Sequence, residues 1–99
     1  MLDFYLISDD QPKPRNPKQI ELQFVGRLDY DCFEGLKLKG FIANQFDYCS
    51  DFRWGTNQIK LISEMVNKSA FQPTLDVKRL TELLDIAVRN NSGLLAYGD

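Results

Sequence analysis

The two ends of the chain constrain its fold most. Residues 2–8, LDFYLIS, are apolar on both alternating sets of a strand: Leu2, Phe4 and Leu6 on one, Tyr5 and Ile7 on the other. The closing LLAYGD gives another such strand over Leu94–Tyr97. A strand that is apolar on both sides needs cover on both faces or a central place in its sheet. One at each terminus predicts that the last strand inserts beside the first, so that both chain ends are held in the sheet.

The segments between fill in the architecture. SDDQPKPRNPKQ carries Pro12, Pro14 and Pro17 among polar residues and reads as an extended surface loop. IELQFVG alternates, with Ile20, Leu22 and Phe24 on one side and Glu21 and Gln23 on the other. That is a half-buried strand near an edge, and a loop without a helix makes it antiparallel to the first. LDYDCFEGLKLKG reads as a short helix capped by Asp31, with Glu34 at capping-box spacing. Gly40 stands where a left-handed C-terminal cap is wanted, and Phe41 follows as its apolar contact.

TNQIKLISEMVNK gives a second helix, started by Thr56 or Asn57, with Ile59, Ile62, Met65 and Val66 on one face. DVKRLTELLDIAVRNNSG gives the third, capped by Asp76, with a stripe of Val77, Leu80, Leu83, Leu84, Ala87 and Val88. The order is β-β-α-α-α-β. It predicts one α+β domain over residues 1–99: a small, largely antiparallel sheet of three to four strands with two to three helices packed on it. Phe46–Tyr48 is the candidate for a short fourth strand.

The chain has no His, which removes the commonest general base and the usual partner of a Ser or Cys nucleophile. Cys32 and Cys49 are too few for a disulfide scaffold or a four-thiolate zinc site, and read as reduced thiols, buried or half buried. The pairs Asp9/Asp10, Asp29/Asp31 and Asp47/Asp51 are the remaining candidates for a metal-dependent hydrolase. Asp is also the ordinary residue of turns and N-caps, which accounts for each pair without chemistry. The glycines do not cluster into a phosphate loop. No catalytic residue, cofactor or metal site is predicted.

The net charge of −2 argues against a nucleic-acid binder and fits a basic partner. The N-terminal apolar run is too short for a signal peptide, has no basic residue before it and carries Asp3. No segment approaches the ~20 apolar residues of a membrane span. A cytoplasmic protein without membrane contact is expected.

One stretch stands apart. FDYCSDFRWG, residues 46–55, holds Phe46, Tyr48, Phe52 and the chain's single Trp, Trp54, with Asp47, Asp51 and Arg53 among them. Tyr, Trp and Arg are over-represented among interface hot spots. Phe52 and Trp54 also read as filling between sheet and helices, the indole N–H bonded to a carbonyl. The combination predicts aromatics anchoring the segment from below and polar members facing a partner. Candidate partner-binding residues are therefore Tyr48, Asp51, Arg53 and Trp54, with Asp9 and Asp10 at the mouth of the proline loop as a second surface.

MLDFYLISDDQPKP, FDYCSDFRW and the closing GLLAYGD together resemble the small bacterial immunity proteins of polymorphic toxin and contact-dependent growth inhibition systems. The resemblance is one of general character over most of the chain, and it transfers no functional residue. It implies a non-catalytic inhibitor that binds a cognate toxin domain, for instance a basic nuclease, and occludes its active site or a nearby surface. The alternative is a small structural or regulatory domain that self-associates through a sheet edge or helix face. The expected state is a monomer or a weak homo-oligomer.

Overall fold

The computed structural model describes residues 1–12, 22–69 and 74–98. The elements are β1 (Leu2–Ile7), β2 (Phe24–Leu28), α1 (Tyr30–Leu38), β3 (Phe52–Trp54), α2 (Thr56–Lys68), α3 (Leu75–Arg89) and β4 (Gly93–Tyr97). The four strands form one sheet in the order β2-β1-β4-β3, every neighbouring pair antiparallel. This is the expected small α+β fold, with the two terminal strands side by side at its centre.

Register puts Phe4 opposite Ala96 and Ala96 opposite Phe52, then Leu6 opposite Leu94 and Leu94 opposite Trp54. Paired residues share a face, so this row forms the floor on which the helices sit. Phe33 and Leu36 of α1, Ile59 and Ile62 of α2, and Val77, Leu80, Leu83, Leu84 and Ala87 of α3 close over it in one buried cluster. The other face carries Asp3, Tyr5, Arg27, Arg53, Leu95 and Tyr97. There the Tyr5 ring meets Phe24 at 5.6 Å and Tyr97 at 5.8 Å, both edge to face. Arg27 pairs with Asp3 at 2.9 Å and lies over the Phe24 ring.

Both ends of α1 follow from local chemistry. Cys32 N–H donates to Asp29 Oδ1 at 2.8 Å, so the N-cap is Asp29 and not Asp31. At the other end Gly40 takes φ +83°. Its N–H donates to Lys37 O and the Phe41 N–H to Leu36 O, the two bonds of a Schellman motif. Phe41 is buried beside it, as its position predicts.

Several expectations need correction. β2 starts at Phe24, which is 45% exposed, and its buried residue is Leu28. The pattern over Ile20–Phe24 therefore ends where the strand begins, and Ile20 lies outside the described residues, as does most of the proline loop. The short fourth strand is Phe52–Trp54, not Phe46–Tyr48: the later triplet pairs with β4, and residues 47–50 are taken up by a turn. α3 is capped at Thr74, with Asp76 inside its first turn. Met65 and Val88 are 44% and 51% exposed, so the apolar stripes of α2 and α3 are each one residue wider than the faces they bury. Both cysteines are free, Cys32 buried and Cys49 exposed.

Asp76 joins two helices. Its Oδ2 accepts from Lys39 Nζ at 2.6 Å, and its Oδ1 accepts from Val77 N–H at 2.8 Å and from Thr74 Oγ1. Burial pushes the carboxyl up, but these three donors outweigh it and hold it below its ordinary value. Gly35 makes the approach possible, because a Cβ there would stand 2.6 Å from Asp76 Oδ2.

Candidate functional site

The stretch 46–55 is resolved into a turn followed by an edge strand. Ser50 N–H donates to Asp47 O and Cys49 N–H to Asp47 Oδ1, closing the turn over residues 47–50. Phe52 and Trp54 then point to the helices. Phe52 packs on Phe46 at 4.9 Å and on Trp54 at 5.3 Å, and Trp54 meets Phe4 at 5.7 Å. Trp54 is fully buried, so it has no surface to offer a partner and leaves the candidate set. Its indole N–H was expected to bond a carbonyl; among the described residues it has no acceptor.

Polar residues of the same stretch are tied to the rest of the fold as well. Arg53 donates to Gln11 O at 2.7 Å and to Ser8 O at 2.5 Å. Asp51 Oδ1 accepts from Gly98 N–H at 3.1 Å, at the far end of β4. Asp9 Oδ1 accepts from Thr56 N–H at 3.1 Å and its Oδ2 from Thr56 Oγ1. Those bonds to Thr56, first the side-chain one and then the backbone one, hold the Asp9 carboxyl below its usual value, and Arg53 adds to the effect. The three-residue strand is thus fixed at its start by Asp51, at its middle by Arg53 and just past its end by Asp9. A short edge strand makes few ladder bonds, and these side-chain bonds supplement them.

Asp9 and Arg53, predicted on separate surfaces, are therefore one local network. Asp9 and Asp10 also line a groove of about 440 Å³ between the Ser8–Asp10 turn, the start of α2 and the end of α3. Its floor is Ile59 and Ala87, and Lys60 stands on the wall with the two carboxylates. Two carboxylates and one ammonium thus share the walls.

A tyrosine pair that reaches solvent lies at the other end of β3. Tyr48 packs edge to face on Tyr30, ring centres 5.5 Å apart, and also meets Phe33 at 5.8 Å. Tyr30 is 57% exposed, and Tyr48 is half-buried. Asp29 and Asp31 flank Tyr30 in the chain, Asp47 precedes Tyr48, and Asp51 lies three residues beyond it. Asp29, Asp31, Asp47 and Asp51 are all exposed. The Asp29 carboxyl is held below its usual value by its bond from Cys32 N–H. Lys37 Nζ lies 5.5 Å from the Phe33 ring centre. Burial raises the Tyr97 phenol, and the Asp51 charge and Tyr5 add to that.

The structure thus keeps Tyr48 and Asp51 together, places Asp9, Asp10 and Arg53 in a second region along the same strand, and removes Trp54. Sequence reasoning missed Tyr30. A signal was present, since Asp-Tyr occurs at residues 29–30 and again at 47–48. Each Asp pair has at least one member bonded to the backbone: Asp9, Asp29, Asp47 and Asp51 each accept a backbone N–H. Among the described residues no group of three or more His, Cys, Asp or Glu is placed to hold a metal ion. No described helix is long and apolar enough to cross a membrane.

No protein-family model matches the chain, and no curated protein matches it in sequence. A solved structure with a similar fold is that of the Neisseria DNA mimic protein DMP12. The TM-score is 0.62 over 97% of each chain, at 16% sequence identity. At that identity the likeness is one of fold.

Proposed function

We propose that this protein is a non-catalytic inhibitor of the immunity type. It binds a cognate bacterial toxin domain and neutralises it by covering the active site or a surface beside it. The observation that carries the reading is the solvent-reaching Tyr30–Tyr48 pair with Asp29, Asp31, Asp47 and Asp51 around it. Tyr supplies large contact area with few rotatable bonds to freeze. Surrounding carboxylates steer a basic partner and pair with its Lys and Arg at the rim. A basic nucleic-acid-handling domain, such as a nuclease, has the face that such a surface fits.

Two further points support the reading. The chain shares its fold with a protein named as a DNA mimic, and a surface that stands in for DNA is one that a basic nuclease face would accept. The resemblance to immunity proteins points to the same kind of partner. The test is co-expression with the protein encoded immediately upstream. The expected result is a one-to-one complex on purification and relief of that protein's toxicity. Failure to co-purify, with toxicity unrelieved, would overturn the reading.

A further inference from the structure

α2 has a second, exposed face turned away from the core. Ile59 and Ile62 point into the core, while Leu61 and Met65, one turn apart, are 55% and 44% exposed. Beside them Lys60 and Glu64 are also one turn apart and exposed. Among the described residues neither Lys60 nor Glu64 has an ion-pair or side-chain hydrogen-bond partner. Two apolar residues and two opposite charges therefore stand in parallel rows, each with the same four-residue spacing.

We propose that this face binds α2 of a second copy of the chain, antiparallel, about a two-fold axis at the level of Ser63. Charge complementarity argues for that occupant, since the Lys60 of one copy can meet the Glu64 of the other. In an isologous contact residue i meets j and j meets i. An antiparallel pair centred at Ser63 sets Leu61 level with Met65 of the other copy, and the reverse. It also brings each Lys60 within two residue rises of level with the opposing Glu64, about 3 Å along the axis, a gap the long Lys side chain spans. Both ion pairs form on the same flank, because a two-fold axis across the helices keeps flanks matched. A partner of unrelated sequence has no need of this self-complementary arrangement. The inference stands apart from the toxin-binding reading: the two surfaces share no residue, so a dimer would carry two copies of the Tyr30–Tyr48 site.

A single helix face is small against the roughly 1,600 Å² of a standard interface, so the dimer is weak, in the range of roughly 10 µM to 1 mM. Sedimentation equilibrium of the whole chain over that range reads it directly. Reversible dimerisation is expected. Lys60→Glu or Glu64→Lys alone weakens it about tenfold, since each turns both pairs into like charges. The double reversal, Lys60→Glu with Glu64→Lys, restores it to within about threefold. Leu61→Glu abolishes it. All these side chains are exposed, and circular dichroism verifies that each variant is folded. A monomer throughout, or association that the single reversals leave unchanged or the double reversal fails to restore, overturns the proposal. Both results are independent of whether the toxin domain binds.

Discussion

Gly98 has no room for a side chain. A Cβ there would lie 2.6 Å from Cys49 C and 2.7 Å from Tyr48 O, and backbone atoms do not yield as side-chain tips do. Gly98→Ala should therefore push the 47–50 turn, and Tyr48 with it, away from Tyr30. Partner affinity is expected to fall about tenfold or more while the melting temperature moves by only a few degrees. Unchanged affinity would show that the position of the turn does not matter to binding. Asp76 tests a structural carboxylate. Its pKa is lowered in the folded chain, so its contribution is fully present above the unfolded value of about 3.8 and is lost as pH falls through the folded value. Asp76→Asn should cost about 2 kcal/mol at neutral pH, below the range for a fully buried pair because both side chains keep some exposure. That deficit should shrink below about pH 3.8, which denaturant melts at successive pH values would reveal. A deficit constant with pH would mean that the Lys39 pair contributes nothing through charge. Neither residue's role was legible beforehand. Gly98 reads as chain end, and Asp76 reads as an N-cap until Lys39, thirty-seven residues earlier, is seen to reach it.

β3 is the element on which the candidate site depends, and sequence placed it poorly. Three residues are too few for alternation to declare a strand, and its register comes from β4 and from Asp9, Arg53 and Asp51. The longer elements were legible because their signal is local. α2 spans the predicted Thr56–Lys68, and the α3 stripe is the core face apart from Val88. β1 and β4 announced their central pairing by being apolar on both sides. The start of α2 was legible only in part. Gly55 offers no side-chain cap, so the carboxylate that receives Thr56 N–H comes from Asp9, which follows β1. Asp9→Ala should therefore speed amide exchange at Thr56 and along β3 while leaving α3 protected. Arg53→Ala should do the same for the 8–11 turn. If exchange at these sites is unaltered, the side-chain bonds are incidental and β3 is held by its ladder and its aromatic floor alone.

At the scale of the molecule, the costly residues of FDYCSDFRWG divide by task. Phe46, Phe52 and Trp54 anchor an edge strand to the core, Asp51 and Arg53 fasten it, and Tyr48 joins Tyr30 at the surface. Composition foretold the two roles but not which residue would take which, because Arg53 and Asp51 find their bonds with carbonyl and amide groups forty or more residues away. On the proposed function, the Tyr30–Tyr48 pair and its carboxylates form the partner-binding surface. Isothermal calorimetry of the chain against the protein encoded immediately upstream tests it, with Tyr30→Ala and Asp47→Lys beside the unaltered chain. A tight one-to-one complex is expected. Tyr30→Ala should weaken it by about 2 kcal/mol or more, roughly thirtyfold. Asp47→Lys should weaken it further as salt is lowered, where steering by charge is strongest. A tight complex indifferent to both changes would contradict the assignment of the surface, and no binding at all would contradict the function.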